Sequence, residues 1–247
     1  NRGINVMLKQ DAITPLYVQL MEELETSIRN GVYKPGDKIM TEAEMAKEYG
    51  VSLITVRKAV GSLMEKGLVV RKQGKGTFVT KPKYSRNMKK LQSFTEMCEQ
   101  MGVKPGAQVL ENRLIMADKK VADRLGIEPG SNVVYISRLR LADGEPVQVE
   151  KSYFPLKYAF LLEEDLNNGS MFECLKEKAG AKVASSEKMI ELCRATAEEA
   201  ALMDVKKGDY LLFVKSTAYD ENGEPMYAGI QLINGDRFSL YVYESGK

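Results

Sequence analysis

Apolar residues in the first part of the chain recur at the three- and four-residue spacing of an amphipathic helix. The earliest series lies along one helical face and consists of Tyr17, Leu20, Leu24 and Ile28. Thr14-Pro15 precedes it, as a hydroxyl cap followed by proline at the first helical position, and Gly31 ends it. The spacing therefore predicts a first helix between Thr14 and Gly31.

Two shorter helices are predicted next, one directly after the other. Thr41-Glu-Ala-Glu44 has the pattern of a capping box, and the helix that it opens ends at Tyr49-Gly50. Ser52 is placed to cap a third helix that runs to about Lys66. Two short helices joined by a glycine-containing turn are typical of a helix-turn-helix.

The third helix has two different faces, and a basic hairpin is predicted after it. Val56, Val60 and Leu63 form a stripe that should pack against the first two helices. The opposite, partly basic face carries Leu53, Ile54, Arg57, Lys58 and Gly61. Beyond the helix, two β-prone runs at 68–71 and 77–80 flank the cationic segment Lys72–Gly76. Such a tip suits a phosphate backbone or a minor groove, and its place directly after a helix-turn-helix favours this over a plain turn.

The second half of the chain contains an internal repeat. A short helix and turn lead into a strand, a tight turn and a second strand, and the plan recurs 78 or 79 residues later. The matching segments are 122–130 and 200–208, 132–142 and 210–219, 143–146 and 222–225, and strands from Val147 and Met226. Asp-Gly and Asn-Gly in the tight turns are strong hairpin signals. We therefore predict one antiparallel sheet with helices packed on it, an α+β arrangement.

Comparison of the two copies separates residues of the shared fold from residues with another purpose. Three positions differ in chemistry: Arg138 against Ser216, Arg140 against Ala218, and Glu150 against Gly229. Because residues two apart on a strand point to the same face, the two guanidinium groups should lie side by side. They repel each other unless solvent or an anion lies between them, and their planar shape suits phosphate or carboxylate. The alternatives are a solvated edge or pairing with nearby acidic residues.

Charge is unevenly distributed along the chain. The 247 residues include 36 Lys and Arg and 34 Asp and Glu, yet residues 1–90 carry a net charge of +8 and residues 91–247 a net charge of −6. This division predicts a small module that binds polyanions, joined to a second module that does not bind them. The alternative is that the first module merely has a solvated basic face. Residues 81–90 hold five cations, a proline and no acid, which is typical of an interdomain linker.

Composition excludes several classes of site. The chain has no His, which removes imidazole-based triads and His-containing metal sites. Cys98, Cys174 and Cys193 form no CxxC pair, so we expect buried thiols in a reducing cytoplasm, without disulfides or zinc. There is no apolar run of 18 residues and no signal-peptide pattern, so we expect a cytoplasmic protein with no membrane partner.

Seven short motifs follow one another through the N-terminal part: Pro15–Gln19, Pro35-Gly36, Thr41-Glu42, Val51-Ser52, Thr55–Ala59, Gly67-Leu68 and Gln73–Val79. In order and spacing they resemble the signature of the GntR-family transcription regulators. The resemblance implies a winged helix-turn-helix that binds double-stranded operator DNA as a homodimer, with recognition helices in the major groove and wings in the minor groove. The DNA-binding residues that it implies are Thr41, Glu42, Ser52, Leu53, Thr55, Arg57, Lys58, Gly74, Lys75 and Gly76.

This sequence departs from the family pattern at two positions. Ala43 and Leu53 stand where the family usually has arginine. Such arginines read guanine edges, and losing one of these contacts costs about 1–3 kcal/mol of discrimination. We therefore predict DNA binding without the family's usual operator sequence. One hypothesis is that Leu53 contacts a thymine methyl group; the other is that it is an incidental exposed apolar residue.

Further motifs follow in the C-terminal part: Leu91–Thr95, Arg138-Leu-Arg140, Asp143–Pro146, Glu150, Asn168–Glu173 and Asp236–Phe238. Together they resemble the UTRA effector domain of the HutC subfamily, which implies a fold shared with chorismate lyase and a small anionic effector such as a phosphosugar or a carboxylate. The effector-binding residues that it implies are Phe94, Thr95, Arg138, Arg140, Glu150, Ser170, Phe172 and Tyr227. Phe94 and Thr95 would contribute backbone N–H groups at a helix start, the arginines would hold the anion, and Glu150 would accept hydrogen bonds from the ligand.

Two functions remain to be compared. The first is a metabolite-responsive bacterial repressor with a DNA-binding domain over 1–80, a linker over 81–90 and an effector-binding, dimerising domain over 91–247, and with no cofactor or metal. The second is an enzyme on the chorismate lyase-like fold that acts on a small anionic metabolite. The lack of His and of an obvious nucleophile or base beside the arginines favours the first function.

Overall fold

The structure is a computed structural model of the chain. It describes Leu8 and residues 13–72, 74–81, 83–167 and 169–245, so the predicted contributions of Gln73 and Asn168 to their motifs lie outside the described residues. The chain divides into two compact units, Asn1–Pro82 and Lys83–Lys247.

The first unit is a three-helix bundle followed by a hairpin. Its elements are α1 (Leu16–Arg29), α2 (Glu42–Tyr49), α3 (Leu53–Glu65), β1 (Val69–Lys72) and β2 (Gly76–Val79). The Val56, Val60 and Leu63 stripe of α3 is buried in a core shared with α1 and α2, as the helical spacing predicts. The two strands are antiparallel and pair Val69 with Val79. The predicted winged helix-turn-helix is therefore confirmed.

Two of the three predicted helix starts agree with the structure. At α2, the Thr41 hydroxyl accepts the Glu44 N–H and the Glu44 carboxylate accepts the Thr41 N–H, which completes the capping box. At α3, the Ser52 hydroxyl accepts the Thr55 N–H at 3.1 Å. The predicted cap at Thr14 is wrong, because Pro15 occupies the cap position of α1 and no side chain caps that helix. The proline ring holds φ at −56° while ψ is extended at 143°, so the helix begins one residue later than predicted.

The second unit is built around one sheet. Its elements are β3 (Tyr84–Asn87), α4 (Phe94–Gln100), β4 (Pro105–Met116), α5 (Lys119–Leu125), β5 (Asn132–Ala142), β6 (Glu145–Pro155), a 3₁₀ helix (Leu156–Leu162), α6 (Met171–Ala179), β7 (Ser185–Arg194), α7 (Ala197–Met203), β8 (Tyr210–Tyr219), β9 (Pro225–Asn234) and β10 (Phe238–Tyr241). Six strands form an antiparallel sheet in the order β4-β5-β6-β9-β8-β7. The predicted α+β class is confirmed.

The internal repeat is present and is longer than the sequence pattern indicates. Each copy has the order helix, strand, helix, strand, strand: α4, β4, α5, β5, β6 and then α6, β7, α7, β8, β9. The copies meet at β6 and β9, where Glu150 pairs with Gln231 and Ser152 with Gly229. The pattern does not reveal β4 and β7, because these edge strands expose apolar residues such as Met116 and Leu192, and the polar–apolar alternation is lost.

Part of the segment predicted as a linker is instead a strand of the second unit. Residues 84–87 form β3, which runs parallel to β10 in the register Tyr84 to Phe238 through Asn87 to Tyr241. The Tyr84 and Phe238 rings pack with their centres 5.3 Å apart. The segment has the basic composition of a linker, and the strand with which it pairs lies about 150 residues later in the sequence. Composition alone therefore does not reveal that it is a strand.

The two faces of the sheet are covered differently. On one face, α5 and α7 lie over apolar residues that include Val133, Leu139 and Leu232. On the other face, α4 and α6 approach from opposite sides and leave a cleft over the central strands, lined by residues from both helices and from β3. Arg138, Arg140 and Glu150 all point into this cleft, which confirms the prediction that the two arginines share a face.

Candidate functional site

The outward face of α3 is exposed in the first unit. Leu53 is 45% exposed and Ile54 is 77% exposed at the start of the helix, and Arg57 is exposed one turn later. Lys58 lies partly apart from them, because its ammonium group is 3.8 Å from the centre of the Tyr17 ring on α1. Leu53, Ile54 and Arg57 are therefore exposed together in the first half of α3.

Glu42 connects α2 to the helix and the hairpin beyond it. Its carboxylate accepts a hydrogen bond from Arg57 Nε on α3 at 2.8 Å and another from Arg71 on β1. These two bonds fix the positions of the Arg57 and Arg71 guanidinium groups relative to α2. The structure places Glu42 in contact with both arginines, and its role in DNA binding stays a prediction.

The predicted hydroxyl residues of this surface all lie at helix starts. Thr41 caps α2, and the hydroxyls of Ser52 and Thr55 are 2.9 Å apart at the start of α3. The first turn of a helix has backbone N–H groups without intrahelical partners, and these suit phosphate oxygens. The Thr41 and Ser52 hydroxyls each accept one of these N–H groups and are themselves occupied as helix caps.

The tip of the hairpin depends on two glycines. Gly74 has φ 73° and Gly76 has φ 119°, conformations that other residues rarely adopt. A Cβ on Gly76 would lie 2.5 Å from the Lys38 side chain, so this lysine packs closely over the hairpin. Lys75 lies between the glycines, and its N–H bonds to the Lys72 carbonyl at 3.0 Å. Lys38 and Lys75 therefore both lie close to Gly76 at the start of β2.

In the second unit, the cleft encloses about 490 Å³ of space, its open mouth included. All eight residues predicted to bind an effector line it. They come from α4, β5, β6, α6 and β9 and so bring both copies of the repeat to one place. Lining residues that the sequence interpretation missed include Arg86, Gln92, Ser93, Ser152, Gly229 and Gln231.

Arg138 and Glu150 form a buried ion pair across β5 and β6. The two are direct cross-strand partners, and Arg138 Nε donates to Glu150 Oε1 at 2.7 Å while a second guanidinium nitrogen contacts the same oxygen. Arg138 also donates to the carbonyls of Leu166 at 3.1 Å and Gly169 at 3.3 Å. The sequence left three possibilities for Arg138: an anion site, a solvated edge, or pairing with a nearby acidic residue. The structure shows the third, because Arg138 pairs with Glu150.

Arg140 is equally buried but less completely bonded. Its guanidinium lies 3.8 Å from Glu150, donates to the Thr95 hydroxyl at 3.3 Å and lies 4.5 Å from the centre of the Phe94 ring. Its Nε has no hydrogen-bond partner within the described part of the chain, and an unmade bond of this kind costs about 1–3 kcal/mol. Burial lowers the pKa of Arg140 to about 10 against the opposing effect of Glu150, so the group is still protonated at neutral pH.

The cleft carries more positive than negative charge. Arg86 of β3 contributes a third guanidinium, and Glu150 is the one acid among the described residues that line the cleft. Burial acts to raise the pKa of Glu150, but Arg138 and Arg140 outweigh it and hold the pKa below its usual value. With Glu150 ionised, three guanidinium groups face one carboxylate and two positive charges are in excess.

Aromatic residues form the apolar wall of the cleft. The rings of Phe172 and Tyr227 have centres 5.6 Å apart, and Phe154 backs Tyr227 at 5.4 Å. Burial raises the pKa of Tyr227 to about 12, with Glu150 acting in the same direction, so its hydroxyl keeps its proton. Gly229 leaves room for this ring, because a Cβ there would lie 3.1 Å from it. Phe172 and Tyr227 thus pack on the core and line the cleft at the same time.

Ser170 marks the start of α6 at the edge of the cleft. Its hydroxyl accepts the Glu173 N–H at 3.4 Å and so caps the helix. Ser93 holds the equivalent place at the start of α4, where its hydroxyl accepts the Glu96 N–H at 3.1 Å. The two copies of the repeat therefore present serine-capped helix starts to the cleft from opposite sides.

Comparison with known protein families gives two matches along the chain. Residues 16–79 match the model of the bacterial regulatory proteins of the gntR family, and residues 100–239 match the UTRA domain. No helix in the described residues combines the length and apolar character needed to span a bilayer.

Similar proteins cover nearly the whole chain. An uncharacterised helix-turn-helix regulator of Bacillus subtilis, YurK, is 35% identical and the repressor NagR of the same organism is 34% identical; the alignments cover 96% and 95% of this chain and 98% and 96% of those proteins. A probable fructoselysine utilization operon transcriptional repressor of Escherichia coli K12 is 29% identical over 92% of this chain and 93% of its own length. Among solved structures, PhnF of Mycobacterium smegmatis matches with a TM-score of 0.66 and 25% identity, covering 92% of this chain and 99% of that one.

Proposed function

The chain belongs to the GntR family of bacterial transcription regulators and carries a UTRA domain, and we propose that it is a homodimeric repressor controlled by a small phosphorylated metabolite bound in the cleft. The observation that carries the proposal is the cluster of three buried guanidinium groups around Glu150, with Arg140 Nε lacking a partner among the described residues. The chain is a DNA-binding regulator rather than an enzyme, so the alternative of catalysis on this fold is set aside.

A phosphate group fits the cleft by charge and by shape. A phosphomonoester carries close to two negative charges above its second pKa of about 6, which equals the excess positive charge of the cleft. Guanidinium groups bind such oxygens through paired N–H donors, and Arg140 still has one donor to use. The hydroxyls and amides of Ser93, Gln92 and Gln231 line the same cleft and suit a hydroxylated organic part.

Repression and dimerisation are supported by separate features. Two of the similar proteins are named as repressors, one of them for a utilization operon. In this chain the edge strand β7 exposes Met189, Ile190 and Leu192, the last to 67%. An uncovered apolar edge is suited to a second copy, and two copies let paired recognition helices read two half-sites. Light scattering on the intact chain measures this mass directly.

Phosphorylated sugars are expected to raise the melting temperature of the protein, and Arg140→Ala is expected to lose the effect. At about 100 times Kd a ligand adds about 2.7 kcal/mol of stability, or a shift of roughly 5–10 °C for a unit of this size. A thermal-shift screen of inorganic phosphate, hexose 6-phosphates and the same hexoses without phosphate measures it. Arg140 is replaced rather than Arg138, because removing Arg138 would also take away the close ion-pair partner of Glu150.

Lys215→Gln is the matched control for this screen. Lys215 is a cation of the same sheet that pairs with Glu191 at 2.9 Å and does not line the cleft. It should keep the full response to phosphorylated sugars. Equal shifts from phosphorylated and unphosphorylated hexoses, or a full response in Arg140→Ala, would contradict the proposed effector class.

On the DNA side, we propose that Leu53 contacts a thymine methyl group in the operator. Its exposure at the first turn of α3 supports this, since that turn of a recognition helix reaches base edges. Leu53→Arg is expected to shift the base preference at the contacted position from thymine to guanine, by about 1–3 kcal/mol of discrimination. Binding-site selection on random DNA measures the preference. Met64→Arg, at the far end of the same helix, should leave it unchanged; unchanged preference in Leu53→Arg would refute the contact.

A further inference from the structure

Strand β3 follows the first unit directly and is also part of the cleft wall. It begins at Tyr84, just after the first unit ends at Pro82, and its Arg86 side chain lines the cleft together with Arg138 and Arg140. We propose that Arg86 is a third anion-binding residue, and that through it the bound anion fixes the strand that leads to the DNA-binding unit. The inference rests on the proposed function, since it needs an anion in the cleft.

Arg86 is buried without an opposing charge close by. It is 8% exposed, and its Nη1 donates to the Gln231 side-chain oxygen at 3.1 Å. No carboxylate of the described residues lies within 4.0 Å of it, whereas Arg138 and Arg140 both lie within that distance of Glu150. A buried cation without a close counter-ion is costly, so an anion has more to contribute at Arg86 than at Arg138.

Arg86 reaches the cleft from a different strand than the other two arginines. Its partner Gln231 on β9 is the cross-strand neighbour of Glu150 on β6, at the junction of the two copies. Arg138 and Arg140 approach the same junction from β5. An anion over the junction therefore faces guanidinium groups on two independent elements, the main sheet and β3.

Strand β3 is attached to the rest of the second unit through β10 and through the Arg86 side chain. Among the described strands it pairs only with β10, so it is not part of the six-stranded sheet. Its other hydrogen bonds join it to the segment around β10 and, through Arg86, to β9: the Tyr84 N–H bonds to the Arg237 carbonyl at 2.8 Å, the Met88 N–H bonds to the Tyr241 carbonyl at 2.9 Å, Lys83 Nζ donates to the Gly235 carbonyl at 2.7 Å, and Arg86 Nη1 donates to Gln231 at 3.1 Å. Arg86 is therefore a direct link from β3 to the large sheet, and an anion bound at Arg86 strengthens the attachment of β3.

Arg86 has one opposing charge to offset its burial. The carboxylate of Glu150 acts on it from more than 4.0 Å away and is already paired with Arg138. A bound anion supplies a second opposing charge and so favours the position of Arg86 in the cleft. A ligand changes the balance of two states only by binding one of them better, and Arg86 supplies that difference directly.

The test uses the full chain, inorganic phosphate as the probe, and the variants Arg86→Gln and Arg86→Lys. Calorimetry is expected to show phosphate binding weakened about tenfold or more in Arg86→Gln, as for the loss of a charged hydrogen bond, and partly retained in Arg86→Lys. Hydrogen exchange at the amides of residues 84–87 is expected to slow severalfold on phosphate binding in the wild type and not in Arg86→Gln. Melting without ligand checks that each variant is folded.

Two further variants separate this inference from the proposed function. Lys83→Gln removes a cation from the same segment outside the cleft and should bind phosphate like the wild type. Arg140→Ala should lose binding if the proposed function holds. Normal phosphate affinity in Arg86→Gln beside a loss in Arg140→Ala would overturn the inference alone. Weakened binding without any change of exchange at 84–87 in the wild type would overturn the link to β3, and a wild type that binds no phosphate would overturn both proposals.

Discussion

Glu150→Gln is expected to lower the free energy of unfolding by about 3–5 kcal/mol, the usual cost of removing one partner from a buried ion pair. Glu150 is the acid that faces Arg86, Arg138 and Arg140 in the cleft, and glutamine keeps its size without its charge. Three buried cations then lack an opposing charge among the described lining residues. Urea denaturation at pH 7 measures the difference.

The size of this loss is expected to depend on pH. Burial acts to raise the pKa of Glu150, but Arg138 and Arg140 hold it below the ordinary carboxyl value of 4.5. Because the pKa is depressed in the folded state, the carboxylate stabilises the fold above pH 4.5, and this contribution is lost as the pH falls through the folded pKa. The gap between wild type and Glu150→Gln should therefore narrow below pH 4.5, as urea titrations at a series of pH values can measure.

Inorganic phosphate and a second variant complete the test of Glu150. Phosphate supplies negative charge to the same cations, so it should restore part of the stability that Glu150→Gln loses. Glu191→Gln breaks an exposed pair with Lys215 and should cost at most about 1 kcal/mol, and phosphate should stabilise it by the same amount as the wild type without narrowing that difference. If Glu150→Gln were as stable as Glu191→Gln, the three guanidinium groups would not depend on Glu150.

The central residues of the cleft could be predicted because the chain contains an internal repeat, whose two copies can be compared position by position. The strands at 132–142 and 210–219 follow from their Asp-Gly and Asn-Gly turns, and the difference between the copies selects Arg138, Arg140 and Glu150. Strand periodicity then places both arginines on one face. Periodicity does not show which residue lies opposite the two arginines. The register between β5 and β6 shows this, because it pairs Glu150 directly with Arg138.

The residues that were missed depend on contacts between distant parts of the chain. Arg86 belongs to a basic, proline-containing segment whose composition is that of a linker, and only pairing with β10 makes it a strand. Nothing in the sequence around Gln231 indicates a binding residue. It belongs to the cleft because its side-chain oxygen accepts a hydrogen bond from Arg86. In the first unit, likewise, Glu42 matched a family motif, but its bonds to Arg57 and Arg71 could not be predicted, because these residues lie 15 and 29 positions away along the chain.

Phe154→Ala is expected to lower the free energy of unfolding by about 3–5 kcal/mol and to weaken the response to phosphate as well. Phe154 is fully buried on β6, with its ring edge-on to Tyr158 at 6.2 Å and against Tyr227 at 5.4 Å. Removing it opens a cavity directly behind Tyr227, which forms the wall of the cleft with Phe172. Tyr227 can then move into the cavity, and the cleft loses its shape. Urea denaturation and the phosphate-dependent melting shift measure the two effects.

Leu211→Ala separates loss of stability from loss of the site. Leu211 is as well buried as Phe154 but belongs to the core on the opposite face of the sheet, beneath α7. Its truncation should cost about 2–5 kcal/mol and leave the melting shift with phosphate close to that of the wild type. Phe154→Leu, which keeps most of the volume, should recover part of both properties. A full phosphate response in Phe154→Ala would mean that the position of Tyr227 does not depend on the ring behind it, and that the aromatic wall is held by Phe172 and the sheet alone.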